Sequence, residues 1–80
     1  MSDNLLYEIF FEAMLKRVKE KEKEHGDSWK YCDKRILKEK LANKYKKWME
    51  DLQEDHNQQT TLVDIANFCM FLYLRNKSEE

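Results

Sequence analysis

An all-α fold is what this sequence predicts, and three observations predict it. The 80 residues contain no Pro and one Gly, Gly26, so the chain lacks the turn residues that hairpin after hairpin would require. Lys, Glu and Leu are plentiful, and all three are good helix formers. Two long segments repeat their apolar residues at three- and four-residue spacing, and a third is apolar on nearly every side. The expected organisation is one domain of three helices, over about residues 4–25, 34–54 and 62–75, with short connections and antiparallel neighbours.

The first helix begins near Asp3, a suitable N-cap. Leu6, Ile9, Phe10, Ala13, Met14 and Val18 recur on one face. After Val18 the sequence KEKEKEH is charged all round, so this end projects into solvent. Gly26 fits the left-handed position just past a helix end. The connection Asp27–Tyr31 carries Trp29 and Tyr31, which fold back onto the core in this reading.

The second helix takes Asp33 as its cap and runs to about Glu54. Leu37, Leu41, Tyr45, Trp48 and Leu52 follow at spacings of four, four, three and four, a single buried stripe. The other faces are lysine-rich. The polar linker DHNQQ, Asp55–Gln59, leads to the third helix, where Thr61 and Asp64 have capping-box spacing. That helix ends near Arg75 and NKSEE frays.

The third helix is the most informative segment. TTLVDIANFCMFLYL, Thr60–Leu74, has no solvent face yet carries Asp64 and Asn67 three residues apart. A helix apolar all round must be enclosed by protein, and 80 residues can barely enclose one. A homodimer or higher homo-oligomer follows, with Phe11 and Phe71, which lie off the main stripes, as candidates for the subunit contact.

Composition excludes several functions. A formal net charge of −1 supplies no global basic field for nucleic acid. Cys32 and Cys69 form no Cys-x-x-Cys pair, and Cys69 reads as buried packing. With His25 and His56 at polar helix ends, no zinc-ligand spacing or nucleophile triad is present. One glycine cannot build a phosphate-cradling loop. The segment Leu62–Leu74 is too short and too interrupted to span a bilayer, and the first residues lack a targeting pattern. The expectation is a soluble cytoplasmic protein with no membrane partner.

HGDSWK (His25–Lys30), the second helix and LVDIANFCMFLY (Leu62–Tyr73) together resemble the MazG-type all-α nucleoside triphosphate pyrophosphohydrolases, over roughly Gly26 to Leu74. That family carries a GDSW-like turn, a helix with Glu-x-x-Glu, and a second with Glu-x-x-Asp that leads into D-[IV]-A-N-[FY]. Carboxylates three apart share a helix face, and two such helices surround Mg²⁺, which binds triphosphate oxygens and activates water.

Carried onto this chain, the Glu-x-x-Glu positions fall on Lys44 and Lys47, with Asn43 where a further acid commonly sits. The Glu-x-x-Asp positions fall on Thr61 and Asp64, and Asn67 completes the local pattern. Three of four carboxylates are absent and two have become cations. The resemblance therefore implies a MazG-like domain with a degraded metal site, no resident metal and no catalytic residue. In this reading Lys44 or Lys47 pairs with Asp64 in place of the metal. The same two lysines are the candidate phosphate-binding residues, for a nucleotide, and a protein partner is the other reading. Two alternatives stand beside it. One is an active Mg-dependent pyrophosphohydrolase with carboxylates relocated to Glu8, Glu12, Asp27 and Glu39. The other is a small nucleic-acid-binding dimer using the lysines of the second helix between Lys34 and Lys47, less favoured because Glu50, Asp51, Glu54 and Asp55 follow directly.

Overall fold

The computed structural model describes residues 3–51 and 56–79. Within them the chain forms three α-helices and no strand: α1 (Asp3–His25), α2 (Lys34–Glu50) and α3 (His56–Ser78), with one 3-10 turn at Ser28–Lys30 between the first two.

Local chemistry sets these boundaries. Helix α1 stops where Gly26 adopts φ 63°, a conformation that costs any residue with a Cβ about 1–2 kcal/mol. The Gly26 amide donates back to the Glu22 carbonyl at 2.8 Å and closes the last turn. A Cβ on Gly26 would meet no atom within 4 Å, so the requirement for glycine is conformational, not steric. Asp33 is extended, and its Oδ1 accepts from the Arg35 amide at 2.9 Å, satisfying a first-turn donor that has no intrahelical acceptor.

Several sequence expectations are corrected here. Asp3 lies inside α1 instead of capping it. Helix α2 ends at Glu50, with Asp51 extended after it. The rest of the helix expected to Glu54, including Leu52 of its stripe, lies outside the described residues, as does Asp55 of the linker. Helix α3 begins at His56 and continues to Ser78. Four of the residues read as a polar linker are thus helical, and so is most of the tail read as fraying. Thr61 lies within α3, so it caps nothing. Polar residues lower helix propensity only slightly, and packing of the apolar segment further along α3 outweighs that cost.

Helix α3 is the central element, packed against both α1 and α2. Its Arg75 guanidinium donates to the carbonyls of Trp29 and Cys32 at 3.0 and 2.7 Å. This ties the α1–α2 connection to α3 and seats Trp29, whose ring stacks on Phe71 at 4.5 Å between centroids. Tyr31 does not fold back with it and stays 78% exposed. Lys34, at the start of α2, donates to Glu79 at 2.6 Å and to Asn76 at 3.3 Å.

The interior is sparse. Among the described residues Leu37 is the one buried hydrophobic side chain, at 2% exposure, and the other buried side chains are polar: Thr61, Asp64 and Asn67. Of the stripe expected on α2, Leu41 and Trp48 are half-buried and Tyr45 is exposed. On α1, Ala13, Met14 and Val18 are half-buried, whereas Leu6, Ile9 and Phe10 are exposed. Cys69, read as buried packing, is also exposed. A three-helix unit this small has too few facing surfaces to cover every apolar position that its periodicity offers. None of the described helices is long and apolar enough to cross a membrane.

Because so little apolar surface is fully enclosed, Leu37 carries an outsized share of the packing. Leu37→Ala should lower stability by about 2–5 kcal/mol, measured by urea denaturation. An equivalent truncation at exposed Tyr45 should change it by less than about 1 kcal/mol.

Candidate functional site

All three helices meet at one carboxylate. Asp64, in the third turn of α3, is 7% exposed. From α1, the Arg17 Nε donates to its Oδ1 at 2.9 Å, and Arg17 Nη2 approaches Oδ2 at 3.5 Å. From α2, Lys44 Nζ lies 3.3 Å from Oδ2. The hydrogen bond to Asp64 holds the Arg17 guanidinium above its ordinary pKa. The two cations stabilise an anion that is largely shielded from water. They also fix the relative positions of α1, α2 and α3 at this level.

One turn further along α3, Asn67 is 4% exposed. Its Nδ2 donates to the Met14 carbonyl on α1 at 3.1 Å. Asp64 and Asn67 therefore form a short polar seam between α3 and α1, inside an otherwise apolar contact.

Beside this seam lies a cleft of about 490 Å³ bounded by all three helices and the 3-10 turn. Arg17 and Lys21 reach it from α1, and Lys40, Asn43, Lys44 and Lys47 from α2. Trp29, Phe68 and Phe71 supply aromatic surface, with Asp64 and Asn67 beside them. Lys40, Lys44 and Lys47 fall at i, i+4 and i+7 and so share one stripe of α2. Lys40 and Lys47 pair with no acid among the described residues, whereas Lys44 is committed to Asp64.

Of the six family-position residues, Asn43, Lys44, Lys47, Asp64 and Asn67 all line this cleft, and Thr61 does not. Thr61 is buried one turn before Asp64. Lys44 or Lys47 was expected to pair with Asp64, and Lys44 does so. Arg17, Lys21, Lys40 and the Trp29–Phe71 stack were not anticipated. Arg17 carried a signal: it lies three residues after Met14 and four after Ala13, on the apolar face of α1. A cation in that stripe needs a buried anion opposite it.

The acids considered for a relocated metal site do not assemble. No group of three or more His, Cys, Asp or Glu side chains gathers among the described residues, and Asp27 faces Lys30 at 3.6 Å. Phe71, a candidate subunit contact, gives one ring face to Trp29 and an edge contact to Phe68. Phe11 remains exposed.

No protein family, curated protein or solved structure matches this chain. The chemistry of the cleft must be read from its residues. What the arrangement offers is a set of cations, two of them held by Asp64, around an aromatic and apolar wall. Such a set binds oxyanions directly, through charge-assisted N–H···O bonds.

A double-mutant cycle on Arg17→Ala and Asp64→Asn should return a coupling of about 1–2 kcal/mol, because the carboxylate is largely enclosed and the bond to Arg17 is part-buried. The cycle on Lys44→Ala and Asp64→Asn should return less than about 1 kcal/mol, because the lysine side chain is 37% exposed and solvent screens it.

Proposed function

We propose that this chain is a MazG-like helical domain whose metal-binding carboxylates have given way to cations, and that it binds a phosphate-bearing ligand, a nucleotide, without catalysing its hydrolysis. The observation that carries the reading is the stripe Lys40–Lys44–Lys47 facing Arg17 across a cleft that also holds the Trp29–Phe71 stack. Phosphate oxygens find donors on the lysines and Arg17, and a planar base finds aromatic surface. A hard divalent cation finds two carboxylates along the cleft, Glu22 and Asp64, and Asp64 is itself neutralised by two basic groups.

In this reading α2 and α3 run antiparallel. Lys34 at the start of α2 meeting Glu79 beyond the end of α3, and Lys44 meeting Asp64 near its beginning, support that arrangement. The reading also includes self-association. Exposed Leu6, Ile9, Phe10 and Phe11 on the first half of α1 form an apolar surface that a second copy covers. Few intramolecular contacts would compete for it.

The test is calorimetric titration of the intact protein with nucleoside triphosphates, with EDTA or Mg²⁺ present. Oligomer mass and pyrophosphate release are followed on the same sample. Binding should persist in EDTA, weaken with added salt and fall about tenfold or more in Lys40→Glu/Lys47→Glu. Mass should exceed that of one chain, and no pyrophosphate should appear. Strict dependence on Mg²⁺, or turnover, would contradict the reading.

A further inference from the structure

We infer that the first half of α1, residues 3–12, docks as an arm onto the cleft of a second copy of this chain, with Tyr7 and Phe11 against its aromatic surface and Glu8 and Glu12 against its lysines. The inference rests on the self-association included in the reading above. It assigns the two surfaces that meet and what their meeting does to the cleft.

Arm and cleft have opposite chemistry. Every residue from 3 to 12 is exposed, with Tyr7 at 69% and Phe11 at 56%, so a large aromatic surface faces water. The arm carries Asp3, Glu8 and Glu12, and no Lys or Arg precedes Lys16. The cleft is lined by Lys21, Lys40 and Lys47 together with Trp29, Phe68 and Phe71. An acidic aromatic segment and a cationic aromatic cleft complement each other in charge and in polarity.

The arm cannot reach the cleft of its own chain. One wall of that cleft is the second half of the same helix, through Val18, Glu22 and His25, and α1 runs unbroken from Asp3 to His25. A continuous helix does not fold its first half onto its second, so the occupant is another copy.

Helical spacing also sets the arrangement. Tyr7, Phe11, Val18, Glu22 and His25 follow at intervals of four, seven, four and three, and so share one stripe of α1. The exposed aromatics and the cleft wall therefore face the same way. Two α1 helices set antiparallel about a two-fold axis near their midpoints place each arm opposite the other's cleft. Both contacts form at once, and the interface closes on itself. A cleft of about 490 Å³ does not hold a helix about 10 Å across, but it takes projecting side chains. Tyr7 and Phe11 enter while the arm lies across the mouth. Glu8 and Glu12, one turn apart on the neighbouring stripe, then meet Lys40 and Lys47 of the second copy. A phosphate ligand competes with the arm for those lysines, so self-association regulates the cleft. A ligand entering one cleft displaces one arm and leaves the other engaged.

Charge exchange tests the pairing. Glu8, Glu12, Lys40 and Lys47 are all exposed, and substitutions at such positions leave folding intact. The mass of ligand-free protein is followed by sedimentation equilibrium over a concentration series. The unmodified chain should form a dimer. Glu8→Lys/Glu12→Lys and Lys40→Glu/Lys47→Glu should each weaken it by about tenfold or more. An equal mixture of the two variants should restore it, because every arm then meets a cleft of opposite charge. Tyr7→Ala/Phe11→Ala, which alters no charge, should also weaken the dimer and should bind tripolyphosphate severalfold more tightly than the unmodified chain.

A dimer that either charge variant leaves unchanged, or a mixture that stays monomeric, overturns the docking while self-association stands. Equal tripolyphosphate affinity with and without the two aromatics also overturns it, because the arm then does not occupy the cleft. An unmodified chain that is monomeric throughout removes self-association and this inference together. If no form binds tripolyphosphate, the phosphate-binding reading falls alone, and the masses still decide the interface.

Discussion

The Asp64 carboxylate, enclosed and bound from two sides, is the constraint on which the rest of the structure depends. A buried charge without a partner costs several kcal/mol, so α3 can occupy its place only if α1 delivers Arg17 and α2 delivers Lys44. That requirement sets the register of both helices against α3. Apolar contacts alone would set it poorly here, because Leu37 is the one buried hydrophobic side chain among the described residues. Polar seams of this kind select one arrangement among many greasy alternatives.

The same constraint explains the electrostatics of the cleft. Arg17 and Lys44 both contact Asp64, and Arg17 also meets Glu20 at 3.5 Å on the surface of α1. Lys40 and Lys47 add positive charge from the same stripe of α2 as Lys44. The site is cationic although the chain as a whole carries a formal charge of −1. Two acids, Glu22 and Asp64, line the cleft against five Lys and Arg side chains, and acidic residues elsewhere balance the remainder. A global charge count therefore misses this local field, which is what a phosphate would sense.

Much of the architecture was legible in the sequence. Helical periodicity, Gly26 and the Asp33 cap each marked a feature that local chemistry determines, and α1, the turn and the start of α2 lie where those signals put them. The extent of α3 was not legible, because Thr60, Thr61 and the polar residues before them read as linker and cap until packing overrides their weak propensities. Periodicity also overstated the core: Tyr45 and Ile9 are in phase with half-buried neighbours yet stay exposed.

At the site, Lys44, Asp64 and Asn67 could be found by aligning them with a known pattern of carboxylates. Arg17 lies upstream of that pattern, just before the run of Lys and Glu. The partner of the Asn67 amide is Met14, more than fifty residues away along the chain, and no local pattern carries that information.

The central claim, that α3 is held to α1 through a part-buried Arg17–Asp64 bond, is tested most directly by the arginine Nε–H resonances of ¹⁵N-labelled protein. The chain has three arginines, Arg17, Arg35 and Arg75, which makes assignment tractable. The Arg17 Nε–H, donating at 2.9 Å to an enclosed carboxylate, should exchange slowly with water. In Asp64→Asn its resonance should shift and its protection should collapse, while those of exposed Arg35 stay unchanged. An Arg17 Nε–H that exchanges as fast as that of Arg35, and is indifferent to Asp64→Asn, would contradict the claim.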